Sequence, residues 1–140
     1  MAKRIALKDK VVVNSVDLST FARAVTFTSE HARIDVSGFN STGADEFLAG
    51  ATTQSVTVEF YGSYGSGEVH QTIYPLHASR SICAFEWRID QTSSVSTTNP
   101  KLSGNVQVLT YAPGATRGEA EAFTVEFTSA DTAGLVFATS

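Results

Sequence analysis

The sequence holds one cysteine, one methionine, one tryptophan and three prolines in 140 residues, and only 17% of it is charged. A lone Cys83 has no internal disulfide partner, which excludes a cystine-stapled scaffold and fits a reducing compartment. No run of eighteen apolar residues occurs, which argues against a membrane-spanning helix. The opening MAKRIALKDK lacks an apolar stretch of signal-peptide length. No internal repeat of solenoid or propeller length is present. Residues 1–140 therefore read as one domain, and a chain of this size buries roughly 68–70% of its unfolded surface without a metal or disulfide. Net charge is −4, unevenly spread: Lys3, Arg4, Lys8 and Lys10 against Asp9 leave the first ten residues at +3, so the other 130 carry −7. An acidic body is a poor general binder of nucleic acid, because attraction to phosphates supplies most non-specific affinity. In an isolated chain the basic arm, residues 1–10, is a solvated terminus. In a self-assembling chain it is a partner for the acidic body of the next copy.

The signatures of chemistry are missing too. No Gly-x-Ser-x-Gly elbow supports a serine nucleophile. Ser63-Tyr64-Gly65-Ser66-Gly67 is glycine-rich but lacks the Lys-Ser/Thr ending of a phosphate-binding loop. His70 and His77 are seven apart, with no acid or cysteine at metal-ligand spacing beside them. His31 reads as a turn residue. Adjacent Asp45 and Glu46 point to different sides of a turn and do not form an acid/base pair. Cys83 sits mid-strand on an apolar face, where a small buried hydrophobe fits better than a reactive thiol. No catalytic residue, metal ligand or cofactor is expected, and the chain does not read as an enzyme.

What the sequence does have is Thr, Val and Phe in alternation, the composition of pleated, half-buried surface. Val56, Val58 and Phe60 alternate with Thr57, Glu59 and Tyr61; Cys83, Phe85, Trp87 and Ile89 with Ala84, Glu86 and Arg88; Phe123, Val125 and Phe127 with Thr124, Glu126 and Thr128. Val11–Val13 and Val16 flank an Asn14-Ser15 turn. Ala24–Ser29 and Ala32–Val36 read as two strand pieces interrupted at Glu30-His31, and Leu135–Ala138 as a short last strand. Leu102–Ala112 is apolar on both sides, which predicts burial on both, by its own core and by another subunit. Val69, Ile73 and Leu76 predict one short helix, about Glu68–Leu76, capped by Ser66 and stopping or bending near Tyr74 before Pro75. Ala44–Leu48 predicts a single helical turn ending at Gly50, inside a long loop, Ser37–Gly50. The fold class expected is mainly β, a sandwich or half-barrel of antiparallel strands.

The order of these elements resembles a known family. Asp35-Val36-Ser37-Gly38-Phe39, then Asp45-Glu46-Phe47-Leu48-Ala49-Gly50, then the Val56–Phe60 strand is similar to the corresponding run in major tail (tail tube) proteins of long-tailed bacteriophages, notably small actinobacterial-phage versions. The likeness extends to Tyr74-Pro75-Leu76-His77, Thr98-Asn99-Pro100-Lys101 and the Phe123–Phe127 strand, with Ala49 where such proteins often carry proline. The resemblance implies a structural virion protein that self-assembles into stacked hexameric rings. DNA passes through the lumen without specific binding. Tape-measure and tail-terminator proteins are the implied partners, and the virion tail, after assembly in the host cytoplasm, is the implied location. On this reading Phe39, Asp45, Glu46, Phe47 and Leu48 form a self-assembly loop, Lys3, Arg4, Lys8 and Lys10 an N-terminal arm, and Thr57, Glu59, Thr124 and Glu126 are the candidates for facing the lumen. The alternative is a virion-surface or capsid-decorating binding module, using exposed Tyr61 and Tyr64 and the Ser63–Gly67 and Asp90–Lys101 loops.

Overall fold

The computed structural model describes residues 4–40 and 42–139. Lys3 of the expected basic arm lies outside them. Eight strands and one helix follow in order: β1 (Lys10–Val13), β2 (Val16–Asp17), β3 (Ala22–Asp35), β4 (Phe47–Tyr61), α1 (Val69–Ser79), β5 (Ile82–Arg88), β6 (Lys101–Gly114), β7 (Ala122–Ser129) and β8 (Val136–Ala138). All pairings are antiparallel, and the strands form one sheet in the order β2-β1-β5-β6-β7-β4-β3, left open rather than closed into a barrel. β8 pairs with Lys101–Ser103 of β6, the stretch that β7 does not reach. The expected mainly β, antiparallel architecture is thus present as a single curved sheet.

Alternation decides what the curve encloses. Val56, Val58 and Phe60 of β4, Phe123, Val125 and Phe127 of β7, Cys83 and Phe85 of β5, and Val11 and Val13 of β1 are all buried in one core. Fully burying each large side chain contributes roughly 1.5–3 kcal/mol. Burial pushes the Cys83 thiol pKa up, as expected for an apolar site. Gly104 sits on this inner face opposite Phe85, and a Cβ there would lie 2.6 Å from the Gly134 carbonyl oxygen. Only glycine leaves room for the segment leading into β8. The β1–β2 turn places both Asn14 (φ 50°) and Ser15 (φ 67°) in the left-handed region, as a tight two-residue hairpin requires.

Three local expectations need correction, and a fourth is met on one side. Within one copy Leu102–Ala112 is buried only by its own core, and its other side is the one expected to meet another subunit. A bulge between Val108 and Thr110 leaves Leu109 without a register partner and 57% exposed. That extra residue shifts the parity of the strand, so Val106, Val108 and Tyr111 all turn inward. The interruption at Glu30-His31 is absent: β3 runs unbroken through both residues, with an irregularity between His31 and Arg33, and His31 Nδ1 meets Thr52 Oγ1 at 2.8 Å across the hairpin.

Ala44–Leu48 makes no helical turn. Asp35↔Phe47, Ile34↔Leu48 and Arg33↔Ala49 continue the β3–β4 ladder, so the loop spans residues 36–46 and not Ser37–Gly50. One isolated helical turn closes few hydrogen bonds, whereas extending a formed hairpin adds them without a new nucleus. The helix, finally, is Val69–Ser79 and passes through Pro75 instead of stopping at Tyr74. Its burial of Val69 and Ile73 outweighs the hydrogen bond that Pro75 removes, and it ends where Arg80 turns left-handed (φ 59°). Glu68 holds the N-cap position without a side-chain bond to the helix, its carboxylate accepting from Gly65 N instead (3.0 Å); Ser63, not Ser66, serves the first turn, its Oγ accepting from Val69 N (3.3 Å) and its carbonyl from His70 N (3.1 Å).

Candidate assembly surfaces

Three surfaces carry the residues that the sequence singled out. The first is the far end of the β3–β4 hairpin. From Thr28 to Asp35 every residue of β3 is exposed, as is every residue of β4 from Phe47 to Thr53 except half-buried Gly50. The hairpin has left the core behind. Its loop is nonetheless held by short-range bonds. Ser37 Oγ accepts from Glu46 N (2.8 Å), Val36 N donates to Glu46 O (2.9 Å), and Asn40 Oδ1 accepts from Thr42 N (3.0 Å) and Ala44 N (3.2 Å). Hydrogen bonds from Ser37 hold the Asp35 carboxyl below its ordinary value. Phe39 is completely exposed, and Leu48 is 59% exposed. Phe47 lies under the Arg33 guanidinium, 3.3 Å from the ring centroid. The structure thus brings Phe39, Asp45, Glu46, Phe47 and Leu48 to one end of the molecule, with Phe47 and Leu48 on the strand and not in the loop. Sequence reasoning missed Ile34 and Val36, also exposed here. Their signal is the register: Ile34 faces Leu48 across the ladder.

The second surface is the polar side of the sheet. Thr57 pairs with Glu126 and Glu59 with Thr124, so these four candidates form one patch on neighbouring strands. Arg23 Nε approaches Glu59 at 4.0 Å, at the edge of ion-pair distance. Further along the same face, Glu86 lies between Lys101 (3.4 Å) and Arg88 (3.8 Å).

The third is the N-terminal segment, residues 4–9, lying beside the seam between β1 and β3. Asp9 anchors it, accepting from Trp87 Nε1 (2.8 Å) and pairing with Arg4 (3.2 Å). Arg4 and Lys8 lie on it and Lys10 opens β1, while Ile5 and Leu7 are each 79% exposed and were not singled out from the sequence. Under the segment a cleft of about 300 Å³ is lined by Leu7, Val11, Val25 and Trp87, with Arg4 and Arg23 at its edge.

The other residues weighed for chemistry stay apart. His70 Nδ1 and the Tyr111 phenol oxygen are hydrogen-bonded at 2.8 Å, and His70 stacks on Tyr74, with ring centroids 5.2 Å apart. Burial, and secondarily Tyr64, push the Tyr111 phenol up to about 12, so it is neutral at physiological pH. Tyr64 is exposed at one edge but packs on His70 and Phe123. In the 90–100 loop Asn99 is buried: its amide donates to the Asp90, Ser93 and Ser94 carbonyls and accepts from Asp90 N. The asparagine of the Thr98–Lys101 motif is thus the organiser of that loop. Among the described residues, no three His, Cys, Asp or Glu side chains gather within reach of one metal ion.

No protein-family model matches the sequence, and no curated protein matches it. Solved structures match in fold. One is a chain of the tail of an empty gene transfer agent particle with C6 symmetry, at 15% identity, covering 84% of this chain and 82% of that one, with a TM-score of 0.67. A second is the SPP1 tail tube, at 12% identity, 95% and 77% coverage and a TM-score of 0.69. A third comes from the six-fold symmetrised baseplate of the anti-feeding prophage, at 13% identity, 99% and 97% coverage and a TM-score of 0.62. The chain therefore has the fold found in these tail and baseplate structures.

Proposed function

We propose that this chain is a tail tube subunit: six copies close into a ring, rings stack into a hollow tube, and DNA passes along the lumen during ejection. The carrying observation is a fold that one copy leaves unfinished. Among the described residues nothing pairs with the outer edge of β3, fourteen residues long, and its hairpin ends in exposed Ile34, Phe39 and Leu48. An unpaired edge of that length is a template for another chain, and joining identical sheets edge to edge around a closed ring removes it. Head-to-tail repetition of one contact then generates a filament. The shared fold with a C6-symmetric tail and with the SPP1 tail tube supports the same reading.

In such a ring the Thr57, Glu59, Thr124 and Glu126 patch faces the lumen, offering hydroxyls and carboxylates that hold water and repel phosphate. The hairpin end reaches a neighbouring subunit. Tape-measure and tail-terminator proteins are the remaining partners, and the virion tail is the location. The role is structural, not catalytic. Negative-stain microscopy with sedimentation, at low and high protein concentration, tests it: annular or tubular particles are expected. A species that remains monomer to trimer at every concentration overturns it and favours a surface-binding module.

A further inference from the structure

The exposed hairpin end and the cleft beside the N-terminal segment have complementary chemistry, and they lie at opposite ends of one strand. The hairpin end carries a wholly exposed phenyl ring, Phe39, and the carboxylates Asp35, Asp45 and Glu46, with one cation, Arg33, held over Phe47. The cleft combines an apolar lining, Val11, Val25 and Trp87, with two cations, Arg4 and Arg23, and one carboxylate, Asp9, already paired with Arg4. Its volume, about 300 Å³, exceeds the roughly 150 Å³ cavity that accommodates benzene. Val25 borders the cleft and Asp35 closes β3, ten residues further along the strand. At about 3.3 Å per residue the two are roughly 30 Å apart, so one copy cannot bring its own Phe39 to its own cleft.

We infer that Phe39 of one copy seats in the cleft between β1 and β3 of the next, with Asp45 and Glu46 against Arg4 and Arg23. This rests on the tube-subunit reading and identifies which surface of the neighbour receives the hairpin. Two different patches meeting head to tail form a contact that repeats without closing on itself, which suits stacking along an axis. The Arg4–Asp9 pair is part of the device: it holds the segment over the cleft while leaving the Arg4 side chain 44% exposed. Contact between exposed charges is screened by salt, so assembly weakens as ionic strength rises.

Charge reversal and cross-linking test it together. Asp45→Lys with Glu46→Lys is expected to stay folded by circular dichroism and to need at least tenfold more protein to assemble. Adding Arg23→Glu, which leaves the Arg4–Asp9 pair intact, is expected to recover part of the lost assembly. Separately, Phe39→Cys with Leu7→Cys is expected to give covalent ladders between copies when assembled particles are oxidised; Cys83 is buried and does not compete. Normal tubes that yield no ladder, or a reversed hairpin that assembles as the parent does, overturn the docking and leave the tube reading intact. A parent chain that never assembles overturns both.

Discussion

Gln54 shows how much a single side chain can organise. Its amide donates to the Leu135 carbonyl (3.0 Å) and accepts from Leu135 N (2.8 Å), imitating a strand neighbour for the segment that leads into β8. Gln54→Ala leaves both Leu135 backbone groups unpaired beside the core, which should destabilise the fold by about 1–3 kcal/mol, read as a lower urea midpoint with an unchanged slope. Tyr111 is a second case. Tyr111→Phe removes the bond to His70 and should cost about 1 kcal/mol at neutral pH. The folded phenol titrates near 12 and the unfolded one near 10, so its contribution is complete below pH 10 and is lost as pH rises towards 12. A stability profile over pH 9–12 should therefore fall less steeply for the variant; equal slopes would show that the half-buried phenol does not govern the alkaline limb.

At the scale of elements, the helix and β6 each carry an irregularity with an energetic consequence. Pro75 is exposed inside α1, where it removes a backbone donor without filling the core. Pro75→Ala is predicted to stabilise the protein by about 1–3 kcal/mol, given the roughly 3 kcal/mol that proline costs in a helix interior, and a rise in thermal midpoint is the readout. The Leu109 bulge works the other way. It lets one strand bury Val106 and Val108 in the sheet core and then present Tyr111 to α1, where His70 meets it. Its exposed leucine accompanies that change of parity.

At the scale of the whole molecule, the core stops well short of the hairpin. Residues beyond Thr28 on β3 and before Gln54 on β4 are almost all solvent-exposed, so substitutions there act on association and not on folding. Phe47→Ser with Leu48→Ser should leave circular dichroism and the urea midpoint within about 0.5 kcal/mol of the parent, as for other surface changes, while abolishing polymers in the microscope. Normal tubes from that variant would remove the hairpin from the assembly scheme.

Much of this was legible in the linear chain because a period of two is a local property. The cores of β4, β5 and β7 and the buried Cys83 follow from which neighbours alternate, and the Asn14-Ser15 turn and the position of one helix from turn residues and helical spacing that are equally local. Long-range balance is not local. Whether Pro75 ends a helix depends on how firmly Val69 and Ile73 are held by β6. Whether Phe47 begins a strand or closes a helical turn depends on Ile34 and Asp35 lying opposite. The sequence by itself determined an antiparallel β protein with apolar residues stranded in a polar loop. Only the tertiary structure decided that those residues stand at the end of a long hairpin away from the core, because register and bulges are settled by contacts between strands that the chain order does not reveal.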